Sequence, residues 1–312
     1  MQFLCIEAGE CSENIKDYIK DELNKVNIEY LVDDIVDSDG KVTVKCKVDL
    51  SKMDTEEQSV IFDQIKAGIS SALADYIIKE YEEKLIFRII NSNYCYFNSI
   101  EKKEILQIAL YVIKNNENNF LNKLFQIRRR NIIIRKLLDY YKGSNNLILD
   151  GFVNFRLKEY MKDLEEIVDK AVDEFLMERE YKEFIRLLRY FVDIQEPKFN
   201  IIHVLVSYDD KYVLLNENKR EITNECIQEF MNDIEGEEIN YDDLLVSSLI
   251  TMAPRKILIH GANNFKNKEL LETIKNVFWE KTFVCTGCEL CMSNMVRNQG
   301  VFNKCEEKYS RS

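Results

Sequence analysis

Three cysteines recur at intervals of three in Cys285-Thr286-Gly287-Cys288-Glu289-Leu290-Cys291, and Cys305 follows. Thiolates at this spacing converge on one metal when the backbone turns tightly, and Gly287 permits such a turn. Four sulfurs suit tetrahedral zinc or an iron–sulfur cluster, whereas a pair of thiols suits dithiol redox chemistry. The plain alternative is a chain end carrying reduced thiols. Three departures from known patterns stand out. The gap to Cys305 is long, no proline follows the last cysteine as in bacterial ferredoxins, and no second knuckle completes a zinc ribbon.

Two histidines are present. His203 lies between Ile201 and Leu205 in an apolar run and is expected in the core. His260-Gly261 follows Lys256-Ile257-Leu258-Ile259, at the carboxyl end of an expected parallel strand, where α/β sheets place ligands. No phosphate-binding glycine loop, serine elbow or zincin motif occurs. The many Asp and Glu residues read as solvated helix faces, so the chain is expected to bind and not to catalyse.

The other chemistry-bearing residues are basic. At about 100° per residue, Arg128, Arg129, Arg135 and Lys136 share an arc of about 120° on one helix. Arg179, Lys182, Arg186 and Arg189 share about 80° on another. Such stripes can contact the phosphates of RNA or DNA, or pair with carboxylates of the same chain. Glu159, Asp163, Glu166, Asp169 and Asp173 line the polar side of the intervening helix. Arg130 is expected on the apolar arc with Ile127, Ile134, Leu138 and Tyr141, where its charge requires a partner; Asp163 and Glu166 are the candidates.

The elements that must carry these residues are mostly helices. Hydrophobic residues make up 46% of the 312 and charged residues 31%, which suffices for a sizeable core. Only 2 prolines and 9 glycines favour long helices over linkers. A net charge of -12 disfavours nonspecific attraction to phosphate backbones or anionic membranes. Glu7, Glu10 and Glu13 interrupt the amino-terminal segment, so no signal peptide is expected. No uncharged apolar run approaches the roughly 18 residues that a membrane-spanning helix needs. Nine cysteines without an export signal point to reduced thiols and a cytoplasmic setting.

Alternation and turn residues predict a predominantly helical chain of mixed α/β class in four regions. Residues 1–98 form an amino-terminal α/β region, with strands at 3–6, 28–36 and 42–48 and a helix opened by a capping box at Thr55-Glu56-Glu57-Gln58. Residues 99–196 form a helical block broken near Gly143–Asn146 and ended by Glu196-Pro197. Residues 197–284 form a carboxy-terminal α/β region containing a hairpin at 201–215, and residues 285–312 form the cysteine-clustered tail.

Asp150-Gly151-Phe152-Val153-Asn154-Phe155-Arg156-Leu157 and the run from Glu183 to Pro197 (EFIRLLRYFVDIQEP) resemble the YtxC-like family of sporulation proteins. The similarity extends from about Ile127 to Val284. It implies a sporulation-associated role in an endospore-forming bacterium, and no reaction. The sequence thus points to an accessory protein acting through a protein partner. Nucleic-acid binding, or redox chemistry with zinc or an iron–sulfur cluster, are the alternatives.

Overall fold

Alternating Leu4, Ile6 and Ala8 turn into the interior from β1 (Gln2–Ala8), and Val42, Val44 and Cys46 do so from β3 (Val42–Val48). With β2 (Tyr30–Val36) these strands form an antiparallel set, in which β3 pairs with both β1 and β2. A fourth strand, β4 (Asn146–Ile148), adds in parallel to the free side of β1, giving the order β2-β3-β1-β4. The sequence marked 143–146 only as a helix break, because three residues carry too little alternation to announce a strand.

The computed structural model describes residues 2–9, 14–25, 30–36, 42–48, 54–115, 120–206, 212–223, 241–265 and 267–291. The expected turns at Ser38–Gly40 and Asp209-Asp210, most of the helix expected at 223–232, and Cys11, Cys226 and Cys305 lie outside them. Two compact units are present, Met1–Met177 and Glu178–Ser312.

In the first unit, α1 (Ile15–Leu23) buries Ile15, Ile19 and Leu23, an i, i+4 stripe. α2 (Thr55–Glu80) buries Ile65, Ile69, Leu73 and Tyr76 as the periodicity requires. Its capping box lies one residue earlier than expected. The Asp54 carboxylate accepts from the Glu57 backbone N–H at 2.8 Å, and Glu57 accepts from the Asp54 N–H at 3.4 Å. An anionic Asp suits a helix N-terminus better than the Thr55 hydroxyl does. The helices α3 (Glu82–Asn93), α4 (Ser99–Asn115), α5 (Phe120–Tyr141) and α6 (Leu149–Arg156) follow. Then comes α7 (Lys158–Ile194). Asp150, which opens the first segment of the family resemblance, accepts from the Gly9 N–H at 2.9 Å and the Tyr81 hydroxyl at 2.8 Å. A Cβ on Gly9 would sit 2.6 Å from the Asp150 carboxylate, so this close approach needs glycine.

The boundaries expected at 98/99 and 196/197 are not where the two units part. Their division falls inside α7: Leu164, Val168 and Phe175 join the first core, while Ile185 and Val192 join the second. One unbroken helix carries no loop signal at the division.

The second unit holds β5 (Ile201–Val206), β6 (Tyr212–Leu215), α8 (Tyr241–Met252), β7 (Lys256–His260), α9 (Lys268–Val277) and β8 (Thr282–Val284). β5 and β6 form the expected antiparallel pair, and β7 and β8 extend the sheet in parallel, in the order β6-β5-β7-β8. Asn267 caps α9 by accepting from the Leu270 N–H at 3.1 Å, and Leu270, Leu271, Ile274 and Val277 face the core. Among the described residues no helix is long and apolar enough to cross a membrane.

The phase expected for α5 requires correction. Its buried side carries Arg129, Ile132, Ile133, Leu137 and Tyr141, while Ile127 is exposed. The arc centred on Ile127, Ile134 and Leu138 left out Ile132 and Ile133, and a helix packed on several sides has no single apolar stripe. Arg130 does find a carboxylate, but it is Asp75 on α2, at 2.6 and 3.0 Å, with the Ser71 hydroxyl as a further acceptor. The deeply buried arginine is Arg129. It donates to Glu82 at 2.8 Å, and Glu82 also accepts from the Tyr160 hydroxyl at 2.6 Å. Burial first, then the Glu82 carboxylate, pushes the Tyr160 phenol well above its ordinary range, so it remains a donor.

The Arg129 and Glu82 side chains are 5% and 7% exposed, against 37% and 44% for Arg130 and Asp75. Arg129→Ala leaves the Glu82 charge buried and should cost about 3–5 kcal/mol. Arg130→Ala breaks a half-exposed pair and should cost about 1 kcal/mol or less. Urea denaturation of both variants checks the order, and equal losses would contradict the packing of α5.

Candidate metal centre

The site begins with strand register. His203 on β5 pairs with Leu258 on β7, which places His260 two residues further along β7 on the same sheet face. Ile202, Val204, Ile257 and Ile259 point the other way, into the core of the unit. The two imidazoles meet with His203 Nδ1 2.9 Å from His260 Nε2. His203 is therefore only half-buried, and it contacts the second histidine in place of a wholly apolar core.

β8 then brings in the cysteines. Val284 pairs with Ile259, and the Cys285 N–H continues the ladder by donating to the Ile259 carbonyl at 2.8 Å. The chain turns at Gly287, whose φ of +136° is open to glycine and strained for other residues. Cys288 and Cys291 are carried back over the end of β7. Cys288 Sγ and Cys291 Sγ each lie 3.4 Å from His260 Nδ1. Cys288 and Cys291 are 3.8 Å apart, as are Cys291 and Cys285. The four ligand atoms lie within 4.8 Å of one another, and the group could hold a metal ion. His260 is buried and the three cysteines are half-buried.

Electrostatics favour the ligating forms of His260 and Cys288 and oppose that of Cys285. Burial, with His203 and Lys219 behind it, pushes the His260 imidazole below its ordinary pKa; burial and Lys219 do the same to His203. Both rings are thus neutral at neutral pH, and one lone pair of His260 is available at Nδ1. With Nδ1 ligating, Nε2 carries the proton and donates it to His203 Nδ1. A hydrogen bond from the Cys291 backbone N–H lowers the Cys288 thiol below the usual cysteine range, against the effect of burial. The Gly287 backbone N–H acts likewise on Cys285, but burial and the neighbouring thiols outweigh it, and Cys285 ends above that range.

Three of the four cysteines expected as ligands therefore come together, and Cys305 lies outside the described residues. The nitrogen ligand was the feature hardest to see in the sequence. The placement of His260-Gly261 at the end of a parallel strand was its only signal, and 24 residues separate it from Cys285.

The basic stripes meet carboxylates of the same chain. Arg128 pairs with Asp163 at 3.1 Å and Arg135 with Glu159 at 2.6 Å, joining α5 to the acidic side of α7. Lys182 pairs with Glu178 at 3.3 Å and Arg186 with Glu183 at 2.6 Å along α7. Arg189 donates to the Asn276 carbonyl and lies 5.2 Å above the Trp279 ring. Arg179 and Lys136 complete the two stripes, Arg179 exposed and Lys136 half-buried. Arg129 points inward, so the first stripe is not one continuous solvent face.

The YtxC-like family matches residues 67–282, more than two thirds of the chain. The chain belongs to the YtxC-like family. It is 25% identical over 249 residues to "Uncharacterized protein YtxC" of Bacillus subtilis (strain 168), covering 78% of this chain and 85% of that one. No solved structure matches it. The family match includes His203 and His260 and stops three residues before Cys285, so the centre stands on the geometry of this chain.

The opposed shifts of Cys288 and Cys285 have a measurable consequence. In metal-free protein near neutral pH, iodoacetamide should modify Cys288 faster than Cys285, as read by peptide mass spectrometry. Equal rates, or Cys285 first, would contradict the hydrogen bond from the Cys291 N–H to the Cys288 sulfur.

Proposed function

We propose that this chain is a zinc-stapled binding protein of the cytoplasm, serving sporulation through a protein partner. The observation that carries the metal reading is the shape of the ligand set. Zinc bonds of about 2.3 Å to sulfur and about 2.05 Å to nitrogen, at tetrahedral angles, span edges of about 3.8 Å between sulfurs and about 3.6 Å between sulfur and nitrogen. Of the six edges, the two sulfur–sulfur distances of 3.8 Å and the two sulfur–nitrogen distances of 3.4 Å lie near those values, and the other two are at most 4.8 Å. A [4Fe–4S] cluster sets each thiolate on its own iron and a [2Fe–2S] cluster splits four ligands between two irons, so neither gathers all four ligand atoms within 4.8 Å. Four protein ligands also close the coordination sphere, which is the pattern of structural zinc; catalytic zinc keeps a position for water or substrate.

A closed sphere leaves the ion no position for substrate, which supports binding over catalysis at the metal. The cytoplasmic setting is supported by the described cysteines, all of them free thiols, since thiolate ligands survive best where the medium is reducing. The sporulation setting is what the resemblance to YtxC-like proteins implies. A protein partner is favoured over nucleic acid because five of the eight cations in the basic stripes are engaged by carboxylates.

Protein purified without air should contain stoichiometric zinc and be colourless, and cobalt substitution should give the absorption of a tetrahedral thiolate site. Cys288→Ser should release the metal and raise hydrogen exchange in 282–291 while α2 and α5 keep their protection. A brown chromophore would replace zinc by a cluster, and metal-free protein that binds neither zinc nor cobalt would refute the centre.

His203 is a positioning residue in this reading. His203→Phe removes the acceptor of the His260 Nε2 proton and should weaken zinc binding about 10–100-fold in competition with a chromophoric chelator. His203→Gln, which keeps an acceptor, should recover much of it. An unchanged affinity in His203→Phe would show that His260 is held by the strand alone.

A further inference from the structure

The three cysteines of the centre are half-buried, while His260 is buried, so solvent reaches the site from the cysteine side. Cys46 of β3, 1% exposed, has no such access. Zinc holds its sulfurs as thiolates, and the thiolate is the form that peroxides oxidise. The ion is therefore kept by electron pairs that a small oxidant can reach.

We infer that the centre is a redox switch, in which a hydroperoxide joins Cys288 to Cys291 as a disulfide and zinc leaves. The inference rests on the zinc reading above and adds its regulation. Two observations select this pair. The first is distance: the Cys288 and Cys291 sulfurs lie 3.8 Å apart, with two residues between them in the chain. A disulfide bond is about 2.05 Å long, so the two need approach by only about 1.8 Å.

The second observation is what each cysteine is attached to. Cys291 lies equally near Cys285, at 3.8 Å, but Cys285 is held in the strand ladder by its N–H bond to the Ile259 carbonyl at 2.8 Å. Cys288 follows Gly287, where an added Cβ would meet nothing within 4 Å. The turn has room to close on Cys291, whereas β8 would have to shift to bring Cys285 there. Once Cys288 and Cys291 are joined, His260 and Cys285 remain as two ligands, where structural zinc takes four.

The chemistry balances without a further reactant. The Cys288 thiolate attacks one peroxide oxygen and breaks the O–O bond, giving a sulfenic acid and hydroxide. The Cys291 thiolate then attacks the Cys288 sulfur and expels a second hydroxide. The two sulfurs lose two electrons, the peroxide gains them, and two protons from solvent convert both hydroxides to water. Zinc leaves as the unchanged dication. β8 is the last strand of its sheet and three residues long, so the segment beyond Cys285 loses its tether while the rest of the sheet keeps its pairing.

The test uses the full zinc-loaded chain. Its zinc content is measured first, and hydrogen peroxide is then added in the presence of a chromophoric zinc chelator. About one equivalent of zinc per chain should be released. Peptide mass spectrometry should find Cys288 joined to Cys291 with the loss of two hydrogens, and Cys46 still a thiol. Dithiothreitol followed by zinc should restore the loaded protein. A chain that takes up no zinc before peroxide is added would refute the centre itself and this inference with it. A loaded chain that keeps its zinc while the exposed Cys95 is oxidised would overturn the switch and leave the structural zinc standing. Release through any other product, a sulfinic acid or a link to Cys285 included, would overturn the assigned pair, and release that dithiothreitol does not reverse would show damage in place of a switch.

Discussion

The site depends on one backbone hydrogen bond, from the Cys285 N–H to the Ile259 carbonyl. It extends the parallel ladder of β7 and β8 by one rung and so decides which residues pass over the end of β7. Side chains alternate along a strand, so a slip of one residue between β5 and β7 would take His260 away from His203, and one between β7 and β8 would carry the cysteines off His260. The aliphatic face prevents that slip. Ile202, Val204, Ile257 and Ile259 can be buried together in only one register, and that register lifts both imidazoles to the other side. The meeting of His260 with His203 and the cysteines is thus a by-product of core packing.

The first unit solves a different problem. Its helices bury charge, and each buried charge is met from another element: Glu82 of α3 by Arg129 of α5 and Tyr160 of α7, and Asp163 of α7 by Arg128 of α5. Such contacts are weak sources of stability, since desolvating both ions offsets most of their attraction. They do discriminate among helix arrangements, because a rotated α5 would bury a cation without its carboxylate. The fully apolar positions of α5, Ile133 and Leu137, tolerate rotation much better than Arg129 does.

Strong periodic signals in the sequence translated well. The alternation at 42–48, the hairpin of β5 and β6, the long face of α2 and the end of α7 before Pro197 all stand where pattern and turn chemistry put them. The cysteine triplet was legible because its spacing is local. Three things were not. Strand β4 is too short to alternate, and its pairing with β1 joins residues about 140 positions apart. The phase of α5 was misjudged because Ile132, Ile133 and Ile134 leave several helix faces equally apolar. His260 joined the cysteines only through sheet pairing, which no spacing rule describes.

The pairing of β4 with β1, and the clamp of Asp150 on Gly9, have a consequence for how the chain is made. β1 gains β3 early in synthesis, yet its second neighbour is synthesised about 140 residues after it. At roughly 5–20 residues per second, that is a wait of roughly 7–30 seconds with one strand edge open. An open edge recruits foreign strands, so the edge of nascent β1 is a point of aggregation risk, and α5 must already be extruded before it can be sealed. A chaperone that shields β1 to β3 during that interval would guard an edge that β4 covers in the finished molecule.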